Sequence, residues 1–161
     1  MQAVIFAAGM GARLRPLTIT TPKPLIDVEG TSLLERVLTE LPDEIDEIIL
    51  VVNYLENQVR EKIGNSFKNI PIKYISQNPL SGTAGALFLV KDVLRDRFLV
   101  LNSDDLYLKS DLENLLKTDR GILLHKGNKR LQASAEISEN IFVNLINAEP
   151  EVSNSVCGAY V

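Results

Sequence analysis

The chain has 161 residues, 45% apolar and 24% charged, the composition of a globular domain with a sizeable core rather than of a disordered segment. Seventeen basic residues against 21 acidic ones leave a net charge of −4, which disfavours the basic face that non-specific nucleic-acid binding needs. One cysteine, Cys157, and one histidine, His125, exclude a disulfide framework and a Cys- or His-rich metal site, and with no apolar run near the roughly 20 residues that span a bilayer and no signal-peptide pattern, a cytoplasmic protein without membrane or nucleic-acid partners is expected.

Gln2–Ala7 is a short apolar run that predicts a buried strand, and residues 8–30, rich in Gly, Pro and Thr, predict a long ordered loop. Ser32 with Glu35 makes a capping box, after which Leu33, Leu34, Val37, Leu38 and Leu41 line one helical face. Asp46–Val52 predicts a second strand, and Leu55, Val59 and Ile63, spaced by four, a second helix. A third strand over Ile70–Ile75, a mostly apolar helix over Thr83–Leu94 with Thr83 as its cap, and a fourth strand over Arg97–Leu101 follow. Ser110 and Glu113 predict another capping box, and Gly121–His125 a further strand.

This alternation predicts an α/β fold, a mostly parallel sheet with helices on both faces. Beyond Lys126 it stops: Arg130–Glu136 and Asn140–Ile146 read as short strands around a turn at Ser138–Glu139, and Val156–Val161 as a last strand. His125 reads as a surface residue and Cys157 as core. Tyr54, Tyr74 and Tyr107 are too dispersed for a base-stacking platform. Parallel sheets bind ligands at the carboxyl ends of their strands, near a switch in strand order. That rule selects the loops after Ala7, Ile75 and Leu101.

The first of these, with its flanks, reads AAGMGARLRPLTITTPKPL over Ala7–Leu25. Gly9 and Gly11 allow the backbone to approach a bulky anion and turn its N–H groups inward. Arg13 and Arg15 add guanidinium groups suited to phosphate, and Pro22 and Pro24 stiffen the chain around the Lys23 ammonium. Cations at a glycine turn in an acidic chain point to a polyphosphate. The segment is neither a Walker P-loop nor a dinucleotide fingerprint, whose third glycine is Leu14 here.

Residues 9–25, GMGARLRPLTITTPKPL, resemble the GxGxRxxPxTxxxPKP signature of the sugar-1-phosphate nucleotidylyltransferases. Gln77–Leu87 is similar to that family's base-recognition stretch, and Leu99–Leu106 to the strand that ends in its metal-binding aspartate. The resemblance implies a three-layer αβα, Rossmann-like fold of the nucleotide-diphospho-sugar transferase type. It implies in-line attack of a sugar 1-phosphate oxygen on the α-phosphorus of a nucleoside triphosphate, with pyrophosphate leaving. Arg13 would then hold the β and γ phosphates and Lys23 the α-phosphate, as the catalytic cations. Ala8, Gly9 and Gly11 would contact the nucleotide through the backbone. Gln77 and Gly82 would meet the base, uracil or thymine by preference, and Asp104 would bind Mg²⁺. Arg15 is left between an assisting role and a surface salt bridge, and Asp105 reads as a loop carboxylate.

The last third departs from the family. Glu149-Pro150, Ser153-Asn154 and Gly158-Ala159-Tyr160-Val161 resemble a degraded EKP…SN…GxY stretch, with Glu149 standing where a lysine holds the sugar phosphate. Leu131-Gln132 stand where a Tyr-Gly contacts the sugar, and a second metal-binding aspartate is expected beyond the last residue. The chain is therefore read as one nucleotidyltransferase domain, 1–161, minimal or truncated at its C-terminus. Two functions are weighed: an enzyme that transfers to a sugar 1-phosphate, favoured by Lys23 and Asp104 and taken as the reading, and a non-catalytic binding or regulatory module for a nucleotide or nucleotide sugar, favoured by Glu149 and by the missing second carboxylate. A leucine-rich helix face could serve a homo-oligomer.

Overall fold

The computed structural model describes residues 1–126, 133–138, 141–147 and 154–161. In chain order the elements are β1 (Gln2–Ala7), β2 (Asp27–Val28), β3 (Thr31–Ser32), α1 (Leu33–Thr39), β4 (Glu47–Val52), α2 (Glu56–Ile63), β5 (Ser66–Phe67), β6 (Ile70–Ser76), α3 (Gly82–Val90), β7 (Phe98–Asn102), α4 (Lys109–Leu115), β8 (Ile122–Lys126), β9 (Ala133–Ser138), β10 (Ile141–Asn147) and β11 (Asn154–Tyr160). Nine strands form one sheet in the order β10-β9-β11-β7-β1-β4-β6-β5, with β8 also paired to β11. The four strands expected from the first hundred residues, β7, β1, β4 and β6, are mutually parallel. The others join antiparallel. β8 thus follows α4 as expected but pairs with β11 instead of extending the parallel series.

Parallel strands covered on both faces must be apolar on both faces. Ile48, Leu50 and Val52 of β4 face one core with Ala3 and Ile5 of β1, and Ile49 and Val51 face the other with Val4. α1, α2 and α4 cover the first face through Leu34, Val37, Leu38, Val59, Ile63 and Leu112; α3 covers the second through Ala86 and Val90. Among the described residues no helix is long and apolar enough to cross a membrane.

Three local expectations change. The third helix ends its α geometry at Val90 and adds one 3-10 turn over Lys91–Val93. Ser110 does not cap α4: the cap position is Leu108, and the Lys109 N–H is taken by the Glu40 carboxylate at 2.8 Å, an acceptor from a distant element. Thr83 lies inside α3, whose cap position is Ser81. The 8–30 loop is ordered, as expected, by three 3-10 turns and the β2–β3 hairpin. At the far edge of the sheet, Lys68 and Asn69 both take positive φ (47° and 68°) in the two-residue turn joining β5 to β6. Residues 131, 132, 139, 149, 150 and 153 fall outside the described residues, as do the side chains of His125 and Cys157.

The capping box at α1 forms as expected. Ser32 Oγ accepts from the Glu35 N–H at 3.3 Å, and the Glu35 carboxylate accepts from the Ser32 N–H at 3.1 Å. The Ser32 hydroxyl, with Lys62 assisting, holds the Glu35 carboxyl below its ordinary value of 4.5, so its contribution is present above that pH and lost as pH falls below it. Ser32→Ala should therefore cost about 1 kcal/mol at neutral pH. In urea titrations the deficit should shrink as the pH is lowered through 4.5 and below.

Candidate nucleotide site

β1 ends at Ala7, and the chain turns through buried Ala8 into the glycine loop. Gly11 holds a left-handed conformation (φ 62°), and a Cβ there would fall 2.8 Å from Thr18 Cγ2 and 3.0 Å from Lys23 Cβ. The Thr18 hydroxyl, 1% exposed, donates to the Gly11 carbonyl at 2.8 Å and ties the loop to its own continuation. Space is open in front of Gly9, with no atom within 4 Å of a Cβ placed there. Thus the two glycines differ: Gly11 serves the loop's own shape, and Gly9 leaves room for something else.

Pro22 is extended and Lys23–Leu25 forms a tight turn, with the Leu25 N–H bonded to the Pro22 carbonyl at 2.8 Å. This turn sends the Lys23 side chain across the cavity to the carboxylate of Asp104, with which it forms an ion pair. The two side chains are 27% and 31% exposed, so both remain open to a ligand. Lys23 and Asp104, read from separate motifs, are direct neighbours.

The second loop is anchored by the Gln77 N–H, which donates to the Val52 carbonyl at 2.8 Å, and by Asn53, whose amide donates to the Gln77 carbonyl. Gln77 is 4% exposed. Its Nε2 donates to Ser81 Oγ at 3.1 Å and to the Gly82 carbonyl at 3.0 Å. A carbonyl can only accept, so this contact fixes which end of the amide is nitrogen. Both Nε2 protons are used, and Oε1 is left as the acceptor. Gly82 (φ 75°) opens onto free space, whereas Gly85 is needed to admit Ser81, whose Oγ lies 2.0 Å from a Cβ placed there.

The third loop leaves β7 with the Ser103 N–H donating to the Phe6 carbonyl at 3.2 Å, which docks it against the end of β1. Asp104 follows, at a turn. Asp105 turns aside, as expected, and accepts from Asn102 Nδ2 at 2.9 Å. The Tyr107 hydroxyl lies 3.3 Å from the same carboxylate; burial, and secondarily the Asp105 charge, push this phenol far above its ordinary value.

The three loops enclose one cavity of about 670 Å³ whose lining includes Ala8, Gly9, Gly11, Arg13, Lys23, Gln77, Gly82 and Asp104. All eight residues singled out from the sequence are thus brought together. Arg15 is not part of the lining. Thr18, Ser81, Gly85, Asn102 and Tyr107 hold these groups in place through contacts that no local sequence signal marks.

A divalent ion can be tested against this geometry. Among the described residues no group of three or more His, Cys, Asp or Glu side chains could hold a metal by itself. Mg²⁺ is commonly bound by one or two carboxylates plus substrate phosphates, which is what Asp104, the acidic residue in the lining of a nucleotide-sized cavity, offers. The Lys23 ammonium already at Asp104 shows that a positive charge is accommodated there. The residues fit a metal–nucleotide complex and not a metal cage.

A sequence profile of the nucleotidyl transferase family matches residues 2–121. The bifunctional protein GlmU of Methanocaldococcus jannaschii is 36% identical over 162 residues, covering 92% of this chain and 38% of that protein. The UTP–glucose-1-phosphate uridylyltransferase AglF of Haloferax volcanii is 32% identical over 121 residues, covering 74% of this chain and 49% of that protein. The chain thus matches less than half the length of either relative. Among solved structures, a Bacillus anthracis protein assigned as a glucose-1-phosphate thymidylyltransferase superposes with a TM-score of 0.87 at 24% identity, over 99% of this chain and 70% of that one. The inositol-1-phosphate CTP transferase of T. maritima superposes with a TM-score of 0.77 at 19% identity, over 99% and 69%. At these identities the superpositions establish the fold.

The contrast between the two glycines gives a test. Gly11→Ala forces a left-handed alanine against Thr18 and Lys23 and should lower stability by roughly 1–2 kcal/mol or more. Gly9→Ala should leave the thermal midpoint nearly unchanged and act only on nucleotide affinity, read by calorimetry beside the melting curves.

Proposed function

The chain belongs to the nucleotidyl transferase family, and on that premise we propose that it transfers a nucleoside monophosphate from a nucleoside triphosphate to a sugar 1-phosphate. The observation that carries this reading is the convergence of Gly9, Arg13, Lys23, Gln77 and Asp104 on one cavity at the carboxyl ends of parallel strands. A sugar 1-phosphate oxygen attacks the α-phosphorus, the bond from that phosphorus to the β-bridging oxygen breaks, and pyrophosphate leaves with the electron pair.

Little covalent work falls to the protein in such a displacement, so its residues act by position and charge. The glycine loop receives the phosphates through its backbone. Arg13 holds the β and γ phosphates that depart. Lys23, already at the mouth of the loop, swings from Asp104 to the α-phosphate, where charge builds as the new bond forms. The carboxylate this exposes is the one that would hold Mg²⁺, which when bound offsets phosphate charge.

The orientation of Gln77 supports a uracil or thymine base. Its engaged Nε2 leaves Oε1 to accept from the N3–H of these bases, whereas cytosine has a lone pair at N3 and would face acceptor against acceptor. Gly82 leaves space for the same base edge.

The test is pyrophosphate release from UTP, dTTP or CTP with Mg²⁺ and a panel of sugar 1-phosphates. Release with UTP or dTTP is expected; nucleotide binding without release from any pair would replace the transferase with a binding module. Arg13→Ala should weaken triphosphate binding by roughly 1.5–3 kcal/mol through loss of a charge-assisted contact, and unaltered calorimetric affinity would remove Arg13 from the phosphate site.

A further inference from the structure

The pairing of β7 with β11 runs through Val100 with Tyr160 and Leu101 with Ala159. One step further, Asn102 stands opposite Gly158. There a side chain enters the ladder. The Tyr107 hydroxyl accepts from the Asn102 backbone N–H at 3.1 Å and donates to the Gly158 carbonyl at 2.9 Å. It bridges two strands where they part, and its ring is 6% exposed. Beside it, Asn102 Nδ2 donates to Asp105 Oδ2 at 2.9 Å. This side-chain pair lies against Gly158 so closely that a Cβ there would fall 1.8 Å from Asn102 Nδ2 and 2.6 Å from Asp105 Oδ2.

These contacts close residues 102–107 into a ring with Asp104 near its apex. On one side the Ser103 N–H is docked on β1; on the other the Asp105 side chain is held by Asn102. We propose that Tyr107 is a positioning residue for Asp104: by wedging between Asn102 and Gly158 it closes the turn that aims the Asp104 carboxylate into the nucleotide cavity. The inference rests on Asp104 being the metal ligand of the proposed function. A carboxylate at the tip of a turn depends on its backbone for aim. Partners that orient a ligand in this way carry much of a site's metal affinity.

Mn²⁺ serves as the probe, its binding to the protein–UTP complex followed by electron paramagnetic resonance, with UTP affinity measured separately in EDTA. Tyr107→Phe keeps the ring and removes the bridge; it should weaken Mn²⁺ binding about tenfold and leave metal-free UTP affinity unchanged. Asp105→Ala, which loses the Asn102 contact and the carboxylate beside the Tyr107 hydroxyl but leaves the Tyr107 bridge from Asn102 to Gly158 in place, should act in the same direction by about threefold, and Asp105→Asn, which keeps an acceptor for Asn102, should restore most of it. This second pair carries the test should Tyr107→Phe fail to fold. Equal losses of Mn²⁺ and of metal-free UTP would indicate a general loosening of the site and overturn the proposal. So would unchanged Mn²⁺ affinity in Tyr107→Phe alongside a strong loss in Asp104→Asn. If Asp104→Asn itself leaves Mn²⁺ binding intact, the metal assignment falls and the positioning role with it.

Discussion

β1 is hydrogen-bonded to parallel partners along both edges, β4 on one side and β7 on the other, and that pairing decides where a ligand can sit. Parallel neighbours end at the same side of the sheet, so the loops that leave β1 and β7 emerge together, and the loop after β6 joins them through β4. The chain then runs from β1 to its neighbours in opposite directions across the sheet, which opens a crevice between the departing loops. The buried, nearly all-apolar strands supply the stability that lets these loops carry Arg13, Lys23 and Asp104 at the surface of the crevice.

Within that crevice the loops are held by a few hydrogen bonds from side chains that do not themselves carry the proposed chemistry. Thr18 binds the Gly11 carbonyl, Ser81 and the Gly82 carbonyl bind the Gln77 amide, and Tyr107 links Asn102 to Gly158. The Lys23–Asp104 ion pair joins the first loop to the third across 81 positions of sequence. Partly exposed pairs of this kind add little to stability. The consequence here is one of arrangement: the cation and the anion of the proposed chemistry are adjacent before any ligand arrives.

The strands of the first hundred residues and the capping box at Ser32 were legible because their signals are local: apolar runs of strand length, and two polar residues three apart. The clustering of the candidate site residues was legible for a related reason. Gly9, Gly11, Arg13 and Lys23 lie within one short stretch, and Gln77 and Asp104 each stand just past a strand that the apolar pattern already marks. What stayed hidden depends on partners far along the chain. Ser110 looked like a helix cap, but Glu40 supplies the acceptor from another element. The fixed orientation of Gln77 requires the conformation of Gly82. Tyr107 read as one of several dispersed tyrosines, because its role exists only once β11 lies antiparallel to β7.

The β5–β6 hairpin bears on how the molecule behaves among its own copies. β6 would otherwise present the outward-directed backbone groups of its alternate residues at one rim of a strongly apolar sheet, a template on which another chain could extend itself. The reversed pair Ser66–Phe67 occupies part of that rim, Pro71 contributes no donor, and Lys68 at the tip adds a charge. These are recognised means of discouraging edge-to-edge growth. This border of a sheet so rich in Ile, Val and Leu is thereby kept short and charged.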